Sequence, residues 1–166
     1  MSDAGGAVPV QERYFEDYTP GMTDSFGCVA VTGEEIIRFA RDFDPQPMHT
    51  DPDAAARSLF GGLIASGWHT ASLAMRMLVD HYLSHTAVIA SPGVDELRWL
   101  KPVRPGDVLR VRATVRETRR SRSRPDRGVV RTYIEVRNQQ DEAVMSMIGI
   151  NFVRCRDTAS GAEQRE

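Results

Sequence analysis

Residues 44–49, Asp-Pro-Gln-Pro-Met-His, set a carboxylate and an imidazole five positions apart in a segment stiffened by proline. Proline fixes its own φ and pushes the residue before it out of the helical region. With Pro45, Pro47 and Pro52 in it, 42–52 therefore reads as a well-defined loop without helix. A turn of that kind lets Asp44 and His49 converge on one water molecule without help from another segment. The chemistry such a pair can do is general acid/base catalysis, one group taking a proton and the pair returning it elsewhere. Each residue also has an ordinary loop role: an aspartate before proline closes an Asx turn, and a buried histidine is satisfied by backbone.

The second feature with chemical meaning is the start of the longest helical pattern, residues 67–83, which follows Gly61 and Gly62. Gly67 opens it, so its backbone N–H points outward from the positive end of the helix dipole and suits a developing oxyanion. Its missing side chain lets a carbonyl come close, although tight packing alone would also call for glycine. Ala71, Ala74, Met75, Leu78 and Tyr82 share a stripe that Leu73, Met77 and Val79 widen. His69, Arg76 and Asp80 form the polar line, which puts His69 toward solvent or a subunit contact. Such a helix needs something wrapped around it.

The rest of the chain supplies the wrapper. Residues 26–31 read as a strand, and Thr32 with Glu35 makes a capping box for a helix through Arg41. Strand patterns follow at 94–100, 107–117, 129–137 and 143–153, which predicts a mostly sequential antiparallel sheet. In the second of these, Leu109, Val111, Ala113 and Val115 alternate with Arg110, Arg112, Thr114 and Arg116, one buried face and one wet. One long helix cradled by a curved antiparallel sheet is an α+β arrangement, the hotdog fold. A lone unit leaves sheet edge and helix uncovered, so at least a homodimer is expected.

Bulk properties narrow the function. The 166 residues, 41% of them hydrophobic, suffice for one core, and we expect a single domain over 13–156 between flexible segments at 1–12 and 157–166. A net charge of −2 does not call for nucleic acid. No signal peptide and no run of 18 apolar residues occurs, so the expectation is a cytoplasmic protein without membrane contact. Cys28 and Cys155 are isolated, which gives neither a disulfide framework nor a CxxC site. His81 and His85 have metal-ligand spacing but no third ligand, and a helix C-terminus favours histidine by its dipole alone; no metal is expected. Residues 116–127 hold six arginines and read as a solvated hairpin, with a landing site for coenzyme A phosphates as the functional alternative.

The sequence DPQPMHTDP, the segment FGGLIASGWHTASLAMR and the segment LRWLKPVRPGDVLRV resemble, in order and spacing, the MaoC-like dehydratases and (R)-specific enoyl-CoA hydratases over roughly residues 14–154. The resemblance implies a hotdog hydro-lyase that adds water across the 2,3 double bond of an enoyl thioester on coenzyme A or a carrier, with no cofactor beyond the coenzyme A of the substrate. It implies Asp44 as base and His49 as the group that orients water and relays the proton. Ser72 would hydrogen-bond the aspartate. Gln46 stands where the family has Asn and would contact substrate, and Trp68, Met75 and Trp99 would line the acyl path. Two other readings stay open: a thioesterase on the same fold, whose water attacks the carbonyl carbon, and a binding protein that keeps the acyl pocket without turnover.

Overall fold

The computed structural model describes residues 8–156; the expectations for 1–7 and 157–166 lie outside the described residues. Strand β1 (Thr23–Ala30) leads into α1 (Gly33–Phe43), then two short helices, α2 (Pro47–Thr50) and α3 (Pro52–Arg57), and the long α4 (Gly67–His81). Four strands complete the chain: β2 (Val88–Trp99), β3 (Val108–Arg120), β4 (Arg127–Arg137) and β5 (Ala143–Arg154). All pairs are antiparallel and the sheet order is β1-β3-β4-β5-β2.

The period-two pattern of β3 is realised: Leu109, Val111, Ala113 and Val115 are buried, and Arg110, Arg112 and Arg116 are exposed. Antiparallel register puts Val136 opposite Val111 and Ile134 opposite Ala113 on the same inner face. Ala74, Met77 and Leu78 of α4 complete the core. Tyr82 reaches from just past the helix end to Thr132, hydroxyl to hydroxyl at 3.0 Å, so the polar atoms of both are satisfied inside. Gly27 of β1, at φ +79°, packs flat on Met77, where a Cβ would come within 2.3 Å of the sulfur. One helix held in the curve of a five-stranded sheet is the hotdog fold, in the α+β class.

Several expectations are corrected. The proline-rich segment is not helix-free, because Pro47 and Pro52 sit at the first position of α2 and α3. There the missing N–H costs nothing and the fixed φ is already helical. Strand β2 begins six residues ahead of the expected strand, through Pro92 and Gly93, which an edge strand tolerates by bulging. Residues Val10–Glu12 form a 3-10 turn, and Gln11 takes hydrogen bonds from the Ser84 hydroxyl and the His85 amide.

The wet side of α4 is also different. Trp68, Ser72, Met75 and Val79 are exposed, whereas His69 is buried at 6% exposure. Helix α1 covers that side, and the His69 ring stacks on Phe39 at 4.7 Å. Its Nδ1 is buried and has no hydrogen-bond partner among the described residues. Desolvation holds the His69 pKa below its usual value of 6.5; Glu35 opposes that shift and Arg38 adds to it. A histidine kept neutral by the fold gives stability that is present above its unfolded pKa and lost as the pH falls through the lower folded value. The expected outcome is a smaller fall in melting temperature between about pH 7.5 and about pH 5 for His69→Phe than for the wild type. Equal falls would show that His69 is not the acid-sensitive group.

Candidate active site

Three backbone ends meet around one cavity of about 450 Å³. Asp44 is the C-cap of α1, its amide bonded to the Ala40 carbonyl at 2.8 Å. His49 lies on α2, whose opening carbonyl at Gln46 accepts the His49 amide at 2.9 Å. Gly67 begins α4. Residues 64 and 65, just ahead of α4, are tied to α2 and to the segment that follows β2, since the Ile64 amide donates to Met48 and the Ala65 amide to Val103.

The carboxylate of Asp44 is gripped on both oxygens. The Ser66 hydroxyl donates to Oδ2 at 2.6 Å and the Gln46 side-chain amide donates to Oδ1 at 2.7 Å. Those bonds, Ser66 first and Gln46 second, outweigh the opposing effect of burial, and His49 adds to them, so the Asp44 pKa lies below the ordinary carboxylate value. Asp44 is ionised at neutral pH.

His49 is buried, and its Nδ1 sits 2.8 Å from the Ile64 carbonyl oxygen. A carbonyl can only accept, so the proton is on Nδ1, and in the neutral ring Nε2 carries the lone pair. That nitrogen lies 3.6 Å from Asp44 Oδ2, too far for a direct hydrogen bond. Two acceptors facing each other across such a gap are suited to hold one water through its two O–H groups. The ordinary contact of a buried histidine thus occupies Nδ1 and leaves Nε2 facing Asp44.

Ser66 is the residue that sequence reasoning missed. It is the N-cap of α4: its hydroxyl oxygen accepts the Trp68 amide at 3.2 Å while its proton goes to Asp44. A serine directly ahead of a helical pattern is the N-cap signal, and it was available in the sequence. Ser72, expected to orient the aspartate, is exposed and donates to the Trp68 carbonyl at 2.8 Å. It lies on the same exposed stripe as Trp68 and Met75, because residues three and four apart share a helix face.

Gly67 is where the sequence put it, but the reason for glycine is Trp99. A Cβ on Gly67 would lie 2.5 Å from the indole. The Gly67 amide, at the first position of α4, has no acceptor among the described residues, and Gly67 lines the cavity beside Asp44 and His49. Trp99 and Trp68 line it too, ring edge to ring face with centroids 5.6 Å apart. Met75, 47% exposed, is not part of the wall. Gln46 lines the cavity, but its amide is directed at Asp44, so it orients the carboxylate.

The arginine-rich segment is remote. Register places Arg120 beside Gly128, and Gly128 beside Val153, whereas Trp99 pairs with Met145 at the other end of β5. At roughly 3.3 Å per residue, the hairpin is about 25 Å from the cavity within this chain. Arg116 lies over the Tyr133 ring, Arg120 donates to the Pro125 carbonyl and Arg127 pairs with Asp126, as in a solvated hairpin. His81 tilts against Phe26, and His85 Nε2 lies 3.3 Å from the Val79 carbonyl.

The family model described as "MaoC like domain" matches residues 19–138. A solved structure, the MaoC-like dehydratase from Rhodospirillum rubrum, superposes with a TM-score of 0.82 at 42% identity, covering 87% of this chain and 98% of that one. A protein named mesaconyl-CoA hydratase from Cereibacter sphaeroides is 33% identical over 153 residues, which cover 90% of this chain and 43% of that protein. One named 3-hydroxybutyryl-CoA dehydratase from Methylorubrum extorquens is 33% identical over 105 residues, 63% of this chain and 64% of that protein. This chain thus spans less than half of the first protein and just under two thirds of the second. With the family match covering well over half of its length and the fold agreeing across most of it, the chain belongs to the MaoC-like dehydratase family.

Proposed function

We propose that the protein is a hydro-lyase that interconverts a 2-enoyl thioester and its 3-hydroxyacyl form, on coenzyme A or an acyl carrier. The observation that carries this reading is the 3.6 Å gap between Asp44 Oδ2 and His49 Nε2, beside the Gly67 amide, which has no acceptor among the described residues. The thioester carbonyl accepts the Gly67 N–H. Asp44 then takes a proton from the water that it shares with His49, and the oxygen adds to C3. The π electrons move through C2 to the thioester oxygen, whose negative charge the Gly67 amide and the dipole of α4 meet. Asp44, relayed by His49, returns the proton to C2, so the sum is one water added. A thioesterase on the same fold would aim the water at the carbonyl carbon instead and release a free thiol.

Asp44→Asn and His49→Ala are each expected to lower kcat for crotonyl-CoA hydration by about 100- to 10,000-fold with little change in melting temperature. Full hydration by either variant, or release of free thiol by the wild type, would sink the assignment. Ser66→Ala removes the bond that does most to keep the Asp44 pKa low, so that pKa rises. Because the ionised form is the active one, the acid limb of the kcat/KM profile should move to higher pH in Ser66→Ala. A limb that stays in place would mean that Asp44 is not the base.

A second copy of the chain is proposed as the cover for the exposed stripe of α4. Trp68, Met75, Val94, Trp99 and Leu100 are each about half exposed, and they lie along α4 and β2, the strand whose outer edge pairs with nothing among the described residues. Pairing β2 with its copy would close that edge and lay the two stripes together. Light scattering is expected to give a dimer or larger assembly for the wild type and a shift toward monomer for Met75→Glu; a monomeric wild type would refute the pairing.

A further inference from the structure

Resting on the thioester reading above, we propose that Lys101 recognises the phosphate of the phosphopantetheine arm, the group that coenzyme A and acyl-carrier thioesters have in common. Among the described residues that line the cavity, Lys101 is the one with a permanent positive charge. Its side chain is 49% exposed, which puts the ammonium at the rim, where a long arm would leave the cavity. It lies two residues beyond Trp99, whose indole covers Gly67. The stretch 99–101 thus runs from the point where the thioester carbonyl is held to the cavity mouth.

The ammonium is held in place before any ligand arrives. The Lys101 amide donates to the Val144 carbonyl at 3.2 Å, and the next residue is Pro102, so the backbone is constrained on both sides. Its Nζ pairs with Glu142, and Glu142 is itself fixed by Asn138, whose side-chain amide donates to the other carboxylate oxygen at 3.0 Å. An ammonium has three donors, and the described residues engage one. The remaining donors are available to a phosphate, and an exposed Lys–Glu pair is too weak to compete with one. The arginine hairpin, some 25 Å away at the other end of the sheet, does not serve this mouth within the same chain.

The test measures kcat/KM for two substrates that differ only by the phosphate, crotonyl-4′-phosphopantetheine and crotonyl-pantetheine. The wild type is expected to favour the phosphorylated thioester by about three- to tenfold, Lys101→Met to lose that preference, and Lys101→Arg to keep most of it. A structural role for the Lys101–Glu142 pair would lower both values in step and leave their ratio intact. An unchanged ratio in Lys101→Met, or no preference in the wild type, overturns the proposal. Crotonyl-CoA and a crotonyl carrier protein, run as separate arms, identify which source of the phosphate loses more in Lys101→Met; loss with neither overturns it as well. If the wild type turns over none of the four thioesters, the hydro-lyase reading itself fails, a result distinct from a lost preference.

Discussion

The bond from the Ser66 hydroxyl to Asp44 connects the stability of the longest helix to the charge state of the carboxylate. Ser66 has one proton to give and lone pairs to offer, and both are committed: the proton to Asp44 Oδ2, a lone pair to the Trp68 amide. The cap bond fixes where α4 begins, and so where the Gly67 amide points. The outgoing bond fixes where the carboxylate lies relative to that amide. The proposed base and the proposed oxyanion donor are thereby set by one side chain, and neither can shift without straining the other's support. An N-cap of this type is worth about 1 kcal/mol to a helix; here the same hydroxyl also orients the Asp44 carboxylate.

What could be read in the sequence follows the range of the interaction. Asp44 and His49 are five residues apart, and their meeting needs only a local turn, so the pair was legible. The alternation of β3 and the capping box of α1 are local as well, and both appear as expected. Ser66 and Asp44 are 22 residues apart. Their contact depends on how α1 and α4 approach each other, which no local pattern states, and the serine was sought inside the helix at Ser72 when the N-cap was the nearer choice. His69 failed for the same reason: its helix face could be counted, but the element covering that face could not be named. The prolines misled differently, since the rule that they exclude helix holds for helix interiors and Pro47 and Pro52 stand at first positions.

Gln46 shows how a departure from the family's pattern is accommodated. The longer side chain folds back over two residues to meet Asp44 Oδ1, and the Thr50 hydroxyl bonds its backbone carbonyl at 3.1 Å, which steadies the turn. The Gln46 amide thereby orients the carboxylate across the turn. The consequence is a carboxylate with both oxygens restrained, more tightly oriented than one held by Ser66 alone.

Restraint of that kind answers an electrostatic problem. An anion in a cavity lined also by Met48, Phe60 and Ile64 loses part of its hydration, and burial pushes its pKa upward. Two fixed donors replace the lost water, and their effect exceeds that of burial, so Asp44 stays ionised. The Nδ1–H of His49 is spent on the Ile64 carbonyl, a contact that would be equally at home in a protein core. A free N–H on Nε2 would instead point at Oδ2 and close the gap as an ion pair, leaving no seat for water. The carbonyl of Ile64 therefore does for the imidazole what Ser66 does for the carboxylate: it fixes the orientation of the ring and leaves Nε2 and the carboxylate directed into the same space.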